Sequence, residues 1–413
     1  MQKNVLIVVA TFSLLLMGCP PKTETGGAAG GGGGEVLVGE YGSLTGSEAT
    51  FGQSTHNGIM MAVDEVNAAG GVGGRRIKVL TEDDQSKAEE AANVVTKLIS
   101  QNNVVAVLGE VASSNSLAAA PIAQSNKIPM ITPSSTNPSV TEKGDYIFRM
   151  CFLDSYQGEA MANYLTKDLK IKTAGLLIDV KSDYSTGLAQ FFEKAFLAGG
   201  GRIVGRQSYA KGDNDFKSQL TALRSSNPQI LYVPGYYNDI GQIAIQARDL
   251  GMKQPLVGGD GWESPKLIEI GGKALEGCFY SNHYFAGDPA PSVKNFVDQY
   301  KERYGQTPDA LAALGYDAAK VLADAIKRAG KTDGPALRDA IASTKGFSGV
   351  TGSITLGPDR NPVGKKLVIV EVRNGQLALK GSVDAAGDST SAAAPAAAPA
   401  ATTTTTTTST TGS

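Results

Sequence analysis

Val36-Leu37-Val38-Gly39, followed by Gly42-Ser43-Leu44-Thr45-Gly46 and then by Ile59, Met60, Val63 and Val66 at helical spacing, sets the pattern that decides the fold. A short β-branched run, a turn rich in glycine and hydroxyls, and an amphipathic stretch make one strand-loop-helix unit. The unit recurs. Ile77-Lys78-Val79-Leu80 precedes a helical pattern through Ala91, Val94, Val95 and Leu98, apolar residues 104–108 precede another from near Ser114, and Ile128-Pro129-Met130-Ile131 is a fourth strand candidate. Alternation of this kind builds a parallel sheet with crossover helices.

A second series follows Arg149: helix 157–168, strand 173–178, helix 187–198, strand 202–204, helix 216–225, strand 230–233, helix 240–250 and strand 255–258. The grammar and count match the first series, so the expected fold class is α/β, with two Rossmann-like lobes in tandem. Helices 293–304 and 310–328 and a final strand pair, 352–355 with 367–372, are expected to return and complete the earlier lobes.

The ends have a different composition. Lys3 and Asn4 precede an apolar run, 5–17, broken only by Thr11 and Ser13, and then Gly18-Cys19-Pro20. The run is short for a bilayer span and suits a signal peptide. Leu16-Met17-Gly18-Cys19 resembles the bacterial lipobox, which implies cleavage before Cys19 and a lipid on its sulfur, holding a soluble body at a membrane. Gly- and Ala-rich residues up to 34 form a tether, and the Ala/Pro/Thr-rich stretch 384–413 is expected to be disordered. The expected organisation is 1–18 signal peptide, 19–34 tether, 35–149 plus 281–345 lobe 1, 150–280 plus 346–383 lobe 2, and 384–413 tail.

Charge and rare residues exclude several functions. The net charge is −2, with 38 basic and 40 acidic residues, and no basic stripe suggests nucleic acid. With two histidines and no Cys-x-x-Cys, neither a metal nor another cofactor is expected. His56, at a helix start, is expected to face solvent. Cys151 and Cys278 remain open between a bridge and two buried thiols. Gly330-Lys331-Thr332 ends like a phosphate loop, but Ala325 stands where glycine is required and no Gly-x-Ser-x-Gly elbow occurs, so catalysis is not expected.

Ligands of open α/β sheets settle beyond the carboxyl ends of the strands. Two hydroxyl-rich loops lie there in the first series, Gly109-Glu110-Val111-Ala112-Ser113-Ser114-Asn115-Ser116 and Thr132-Pro133-Ser134-Ser135-Thr136-Asn137-Pro138. Each could serve only as a helix cap, but together they offer neutral donors to a carboxylate. The second series offers Asp179 to Tyr184, Pro234-Gly235-Tyr236-Tyr237 and Gly259-Asp260-Gly261-Trp262. An acid in a glycine turn is commonly a turn former; an acid with tyrosines also suits an ammonium.

Gly42 to Gly46, Asn67-Ala68-Ala69-Gly70-Gly71-Val72-Gly73-Gly74-Arg75, Asp83-Asp84, Ile131 to Pro138 and Gly315-Tyr316-Asp317-Ala318-Ala319 resemble the leucine/isoleucine/valine-binding protein family, the type I periplasmic binding proteins of ABC importers. The resemblance runs from about 36 to 372. It implies a clamshell with three hinge crossings and no cofactor, working in the periplasm or cell envelope. Its partners would be an amino-acid ligand, branched-chain or related, and transporter permease subunits. By motif, Ser113 and Thr136 with groups near Ser134 fall where the ligand carboxylate is held, Tyr236 and Asp260 where the ammonium is held, and Phe51 and Tyr184 where an aromatic closes each side. Asp260 is shorter than the glutamate common there, and Glu110 adds an acid beside the carboxylate loop, so the ligand could be another metabolite. The alternative is a sensor lipoprotein reporting to a receptor without transport.

Overall fold

The computed structural model describes residues 34–384 and 389–391. The signal peptide, the lipidation candidate Cys19, the tether up to Gly33 and most of the expected tail lie outside the described residues.

Five parallel strands form the first sheet in the order β2-β1-β3-β4-β5: β1 (Val36–Gly42), β2 (Ile77–Asp83), β3 (Val107–Leu108), β4 (Met130–Thr132) and β5 (Ile147–Arg149). The first three crossovers carry α1 (Ala49–Ala68), α2 (Ala88–Ser100) and α3 (Ser113–Ser125). Side chains alternate across this sheet as its pleat requires. Val36, Val38, Leu108, Ile131 and Phe148 enter one core, whereas Val107, Met130 and Ile147 enter the core under α2 and α3. With both faces covered, the strands read as apolar runs.

The second sheet runs β15-β14-β13-β10-β9-β8-β6-β7. Its parallel part comprises β6 (Thr173–Asp179), β7 (Arg202–Tyr209), β8 (Ile230–Tyr232), β9 (Leu256–Gly258) and β10 (Phe279–Asn282). α4 (Asp154–Asn163, continued as a wider turn through Asp168) leads into β6, and between the strands lie α5 (Asp183–Ala198), α6 (Lys217–Ser225), α7 (Tyr237–Asp249) and α8 (Pro265–Gly271). The pleat again splits the core: Leu231 and Leu256 pack with α6 and α7, Ile230 and Val257 with α4 and α5.

The chain then returns through α9 (Pro291–Tyr304), α10 (Ala310–Ala329) and α11 (Gly334–Ala342). Leu314, Ala318, Leu322 and Ile326 of α10 bury in the first sheet's core beside Ile59 and Val63 of α1. The two helices touch backbone to backbone: a Cβ at Gly58 would lie 2.0 Å from the Ala312 carbonyl oxygen, and one at Gly315 2.6 Å from that of Thr55. Only glycine permits such an approach, which accounts for the Gly315-Tyr316-Asp317 motif. The chain thus passes between the sheets after β5, after β10 and again before β13, the expected three-crossing, two-lobed α/β fold.

Several expectations need correction. The segment 352–355 does not pair with 367–372. It forms β12 (Gly352–Ile354), pairs with β11 (Phe347–Gly349), and places Ile354 and Leu356 in the first sheet's core. β13 (Leu367–Arg373) pairs instead with β14 (Gln376–Val383) through Asn374-Gly375, both at positive φ (54° and 71°). Asn-Gly is the sequence signal of such a hairpin. β15 (Ser389–Ser391) pairs with β14 inside the segment expected to be disordered. Of the two states left open for the cysteines, the structure takes the thiols: among the described residues Cys151 and Cys278 are free and buried in separate cores. His56 is half-buried rather than solvent-facing, its Nδ1 2.8 Å from Glu40 Oε2.

Candidate functional site

In each sheet the chain departs to either side of one strand, β1 in the first and β6 in the second, and the loops at those carboxyl ends face each other. From the first lobe, α3 starts at Ser113 and the β4 loop carries Ser134 and Thr136, all three almost fully buried. From the second come Tyr184 on the first turn of α5, Tyr236 capping α7, and Asp260 just after β9. Phe51 reaches across from α1. These seven residues, with Val111, Gly261 and Leu311, line one cavity. Its free volume is about 10 Å³, room for roughly one water molecule, so the lobes stand closed on each other.

The two walls differ chemically. On the first, Ser134 Oγ is buried with no hydrogen-bond partner among the described residues, and Thr136 Oγ1, near Asp154, also lacks a well-formed one there. An unpaired buried hydroxyl is costly, so an uncommitted pair aimed at a cavity is a mark of ligand binding. Ser113 Oγ accepts from Asn137 N at 3.3 Å. On the second wall, Tyr184 OH donates to Asp260 Oδ1 at 2.9 Å while accepting from Gly261 N at 3.0 Å. Tyr236 stacks on Tyr184 (centroids 5.3 Å, 8° between planes) and meets Phe51 edge-on (5.5 Å, 83°), so the aromatic floor is continuous across the two lobes.

Sequence reasoning missed the residues that hold this set in place. Gln157 on α4 donates to Asp260 Oδ1 at 2.9 Å and to Asp154 Oδ1 at 3.2 Å, and accepts from Asp260 N at 2.9 Å. His283 Nε2 lies 3.0 Å from Asp260 Oδ2, its ring 3.7 Å from that of Phe152. Arg149 holds the Ser135 and Asn137 carbonyls that flank Thr136. None carries a local motif; each acts across a long sequence separation.

Glu110, the acid expected to perturb the carboxylate loop, is turned away from the cavity. Its carboxylate accepts from Ser43 N (3.1 Å), Ser43 Oγ (3.0 Å) and Ala112 N (2.5 Å), tying the β1 loop to the start of α3. Burial, then the Asp84 charge, raises its pKa well above the usual carboxylate range. Across the cleft rim, Glu48 pairs with Lys211 at 2.8 Å, Ser114 Oγ donates to Asp183 at 2.7 Å, and Thr50 and Ser264 hydroxyls meet at 2.9 Å.

Asp154, fully buried beside this cluster, is pushed from the ordinary 3.8 up to about 8 by burial and then by the Asp260 charge. A raised carboxyl binds its proton more tightly in the folded than in the unfolded chain, so its stabilising contribution is present at low pH and lost as pH rises through that window. Between pH 6 and pH 8 the loss from this group is about 2 kcal/mol. Thermal melts of the unliganded protein should fall across that interval, and Asp154→Asn should flatten the slope; an unchanged slope in the variant would assign the dependence to other groups.

Comparison with known proteins agrees with this architecture. A leucine-binding protein from Thermotoga maritima superposes with a TM-score of 0.81 at 40% identity, covering 84% of this chain and 98% of that one. The branched-chain amino acid transporter substrate-binding protein LivJ from Streptococcus pneumoniae, in complex with isoleucine, gives 0.81 at 34%, covering 85% and 100%. A leucine-, isoleucine-, valine-, threonine- and alanine-binding protein of Pseudomonas aeruginosa is 30% identical over 76% of this chain and 83% of its own length. These relatives are binding proteins, not enzymes. The periplasmic binding protein family model matches residues 35–376, and the chain, nearly the whole of its folded body matched, belongs to that family.

Proposed function

We propose that this protein is the extracytoplasmic solute-binding lipoprotein of an ABC importer, anchored through Cys19, and that it captures an α-amino acid with an apolar side chain. The observation that carries the reading is the pairing of two uncommitted hydroxyls, Ser134 and Thr136, with a carboxylate, Asp260, around one cavity. A zwitterion complements both walls: hydroxyl and backbone donors of lobe 1 take its carboxylate, while Asp260 and the faces of Tyr184 and Tyr236 take its ammonium. Phe51, Val111 and Leu311 leave an apolar side chain its place.

We take lobe 1 as 35–149 with 281–345 and lobe 2 as 150–280 with 346–383, the hairpin 347–356 moving to lobe 1 because its apolar residues pack there. Opening about the three crossings admits ligand to the hydroxyl wall; contacts available only when Tyr236 and Asp260 arrive then favour the closed form. The importer reading rests on kinship with LivJ, a transporter component by name.

Calorimetric titration of the purified protein with the twenty amino acids tests the proposal. Leucine, isoleucine or valine should bind, whereas 4-methylpentanoate and 3-methylbutylamine, each lacking one charged end of leucine, should bind at least about tenfold more weakly. Equal binding of either analogue, or no amino acid bound, would overturn it. Loss of labelled amino-acid uptake on gene deletion separates a carrier from a sensor.

A further inference from the structure

A second cavity, about 640 Å³, lies at the hinge, where α1, the segment after β9, the β10 to α9 crossing and the start of α10 meet. It shares no lining residue with the Asp260 cavity. Three carboxylates line it; Lys266 takes Glu269, which leaves Glu263 and Asp309. Glu263, 7% exposed, accepts from Tyr280 OH at 2.5 Å and from Ala310 N at 3.3 Å. Asp309 caps α10 by accepting from Ala312 N at 2.9 Å and takes the Ser54 hydroxyl. Among the described residues no basic side chain pairs with either acid; Lys266, at the rim, pairs with Glu269.

Acids alone would not make a site, but Tyr284 does more than line the wall. It is 4% exposed, and its buried hydroxyl has no hydrogen-bond partner among the described residues. A hydroxyl in that condition costs free energy unless something fills the cavity and bonds to it. The remaining wall combines Phe285, Tyr300, Val370 and Leu377 with polar side chains, among them Asn57, which donates to the Tyr300 hydroxyl at 3.3 Å. Among the described residues no three metal-ligating side chains cluster, so a bare metal ion does not suit the cavity.

We propose that this hinge cavity is a second ligand site, taking a small primary amine in its ammonium form, with Glu263, Asp309 and the Tyr284 hydroxyl as acceptors and the rings around an apolar body. Three acceptors match the three N–H bonds of an ammonium. Burial raises the Glu263 carboxyl to about 7 and the Asp309 carboxyl above its ordinary value, so a bound ammonium supplies the cation that favours their charged forms. The wall has no basic group buried within it to hold a carboxylate, which distinguishes its ligand from an amino acid.

The test is isothermal titration of the full chain with 2-methylpropylamine, beside 2-methylpropanol and 2-methylpropanoate of the same shape. It is run in the Asp260→Asn background, so that amine entering the first cavity is not counted and the result does not hang on the amino-acid reading. The amine should bind saturably at one site, and the alcohol and the acid at least about tenfold more weakly. Glu263→Gln, and separately Tyr284→Phe, should each weaken the amine by about fivefold or more while leaving the amino-acid affinity of the parent protein within about twofold. Tyr284→Phe removes only an unpartnered hydroxyl, so it remains informative if Glu263→Gln folds poorly. No saturable amine binding, equal binding of the alcohol, or amine affinity unchanged in Tyr284→Phe would overturn the proposal.

Discussion

Replacing Asp260 with asparagine weakens amino-acid binding by about ten- to a hundredfold, while the unfolding midpoint of the unliganded protein hardly moves. The substitution keeps the volume and one acceptor oxygen, so Tyr184 OH and Gln157 Nε2, which both reach Oδ1 at 2.9 Å, retain a partner. What it removes is the negative charge. A charge-assisted hydrogen bond to a buried ammonium contributes about 1.5–3 kcal/mol, and each 1.4 kcal/mol is tenfold in affinity. Alanine would be a poorer test: it would strip Tyr184, Gln157 and His283 of their shared partner and confound binding with folding. Calorimetry with leucine on parent and variant decides the matter, and an affinity within threefold of the parent would remove Asp260 from the ligand.

Much of this was legible in the sequence because it is local. A strand end, the loop after it and the helix it enters are consecutive residues, so Ser113, Ser134, Thr136, Tyr184, Tyr236 and Asp260 could be placed at carboxyl ends of strands by pattern alone. The support behind them is not consecutive. Gln157 meets Asp260 across 103 positions and Arg149 meets Asn361 across 212, and no periodicity encodes such pairs. Strands β5 (Ile147-Phe148-Arg149) and β10 (Phe279-Tyr280-Ser281-Asn282) do not stand out because each mixes apolar with polar residues, whereas β8 and β9, no longer than β5, lie in apolar runs. The hinge cavity is assembled from separate segments of α1, the β9 loop, the β10 exit and the α10 entry, so nothing in any one segment announces it. The β13–β14 hairpin is a different case: Asn374-Gly375 was there to be read.

Arg149→Met differs from Asp260→Asn in what it does to the fold, with a loss of about 3 kcal/mol in stability accompanying weaker binding. Arg149 is fully buried, and its guanidinium is spent on acceptors from three segments. Nε donates to Asn361 Oδ1 at 2.6 Å, Nη1 to the Ser135 carbonyl, and Nη2 to the Asn137 carbonyl at 2.8 Å and to Thr141 Oγ1 at 3.4 Å. Methionine fills similar space and relieves the cost of burying a cation, but it removes the charged donor and leaves Asn361 Oδ1 only the Thr141 hydroxyl at 3.0 Å, the Asn137 carbonyl only Val140 N at 3.2 Å and the Ser135 carbonyl only the Cys151 thiol at 3.3 Å; a hydrogen bond from a charged donor contributes about 1.5–3 kcal/mol before that relief. Ser135 and Asn137 flank Thr136, and Asn361 sits on the third crossing between lobes, so the same change loosens the hydroxyl wall and its tie to the hinge. Urea unfolding should therefore show a lower midpoint at unchanged slope, and amino-acid affinity should drop even under conditions where the variant is fully folded. Lysine at this position restores charge, but its three N–H donors radiate from one nitrogen on a flexible stem rather than from the spread, planar fork that reaches these acceptors, and it should recover only part of the loss. A variant within 1 kcal/mol of the parent, binding leucine equally well, would mean that the loop holds its shape without the guanidinium.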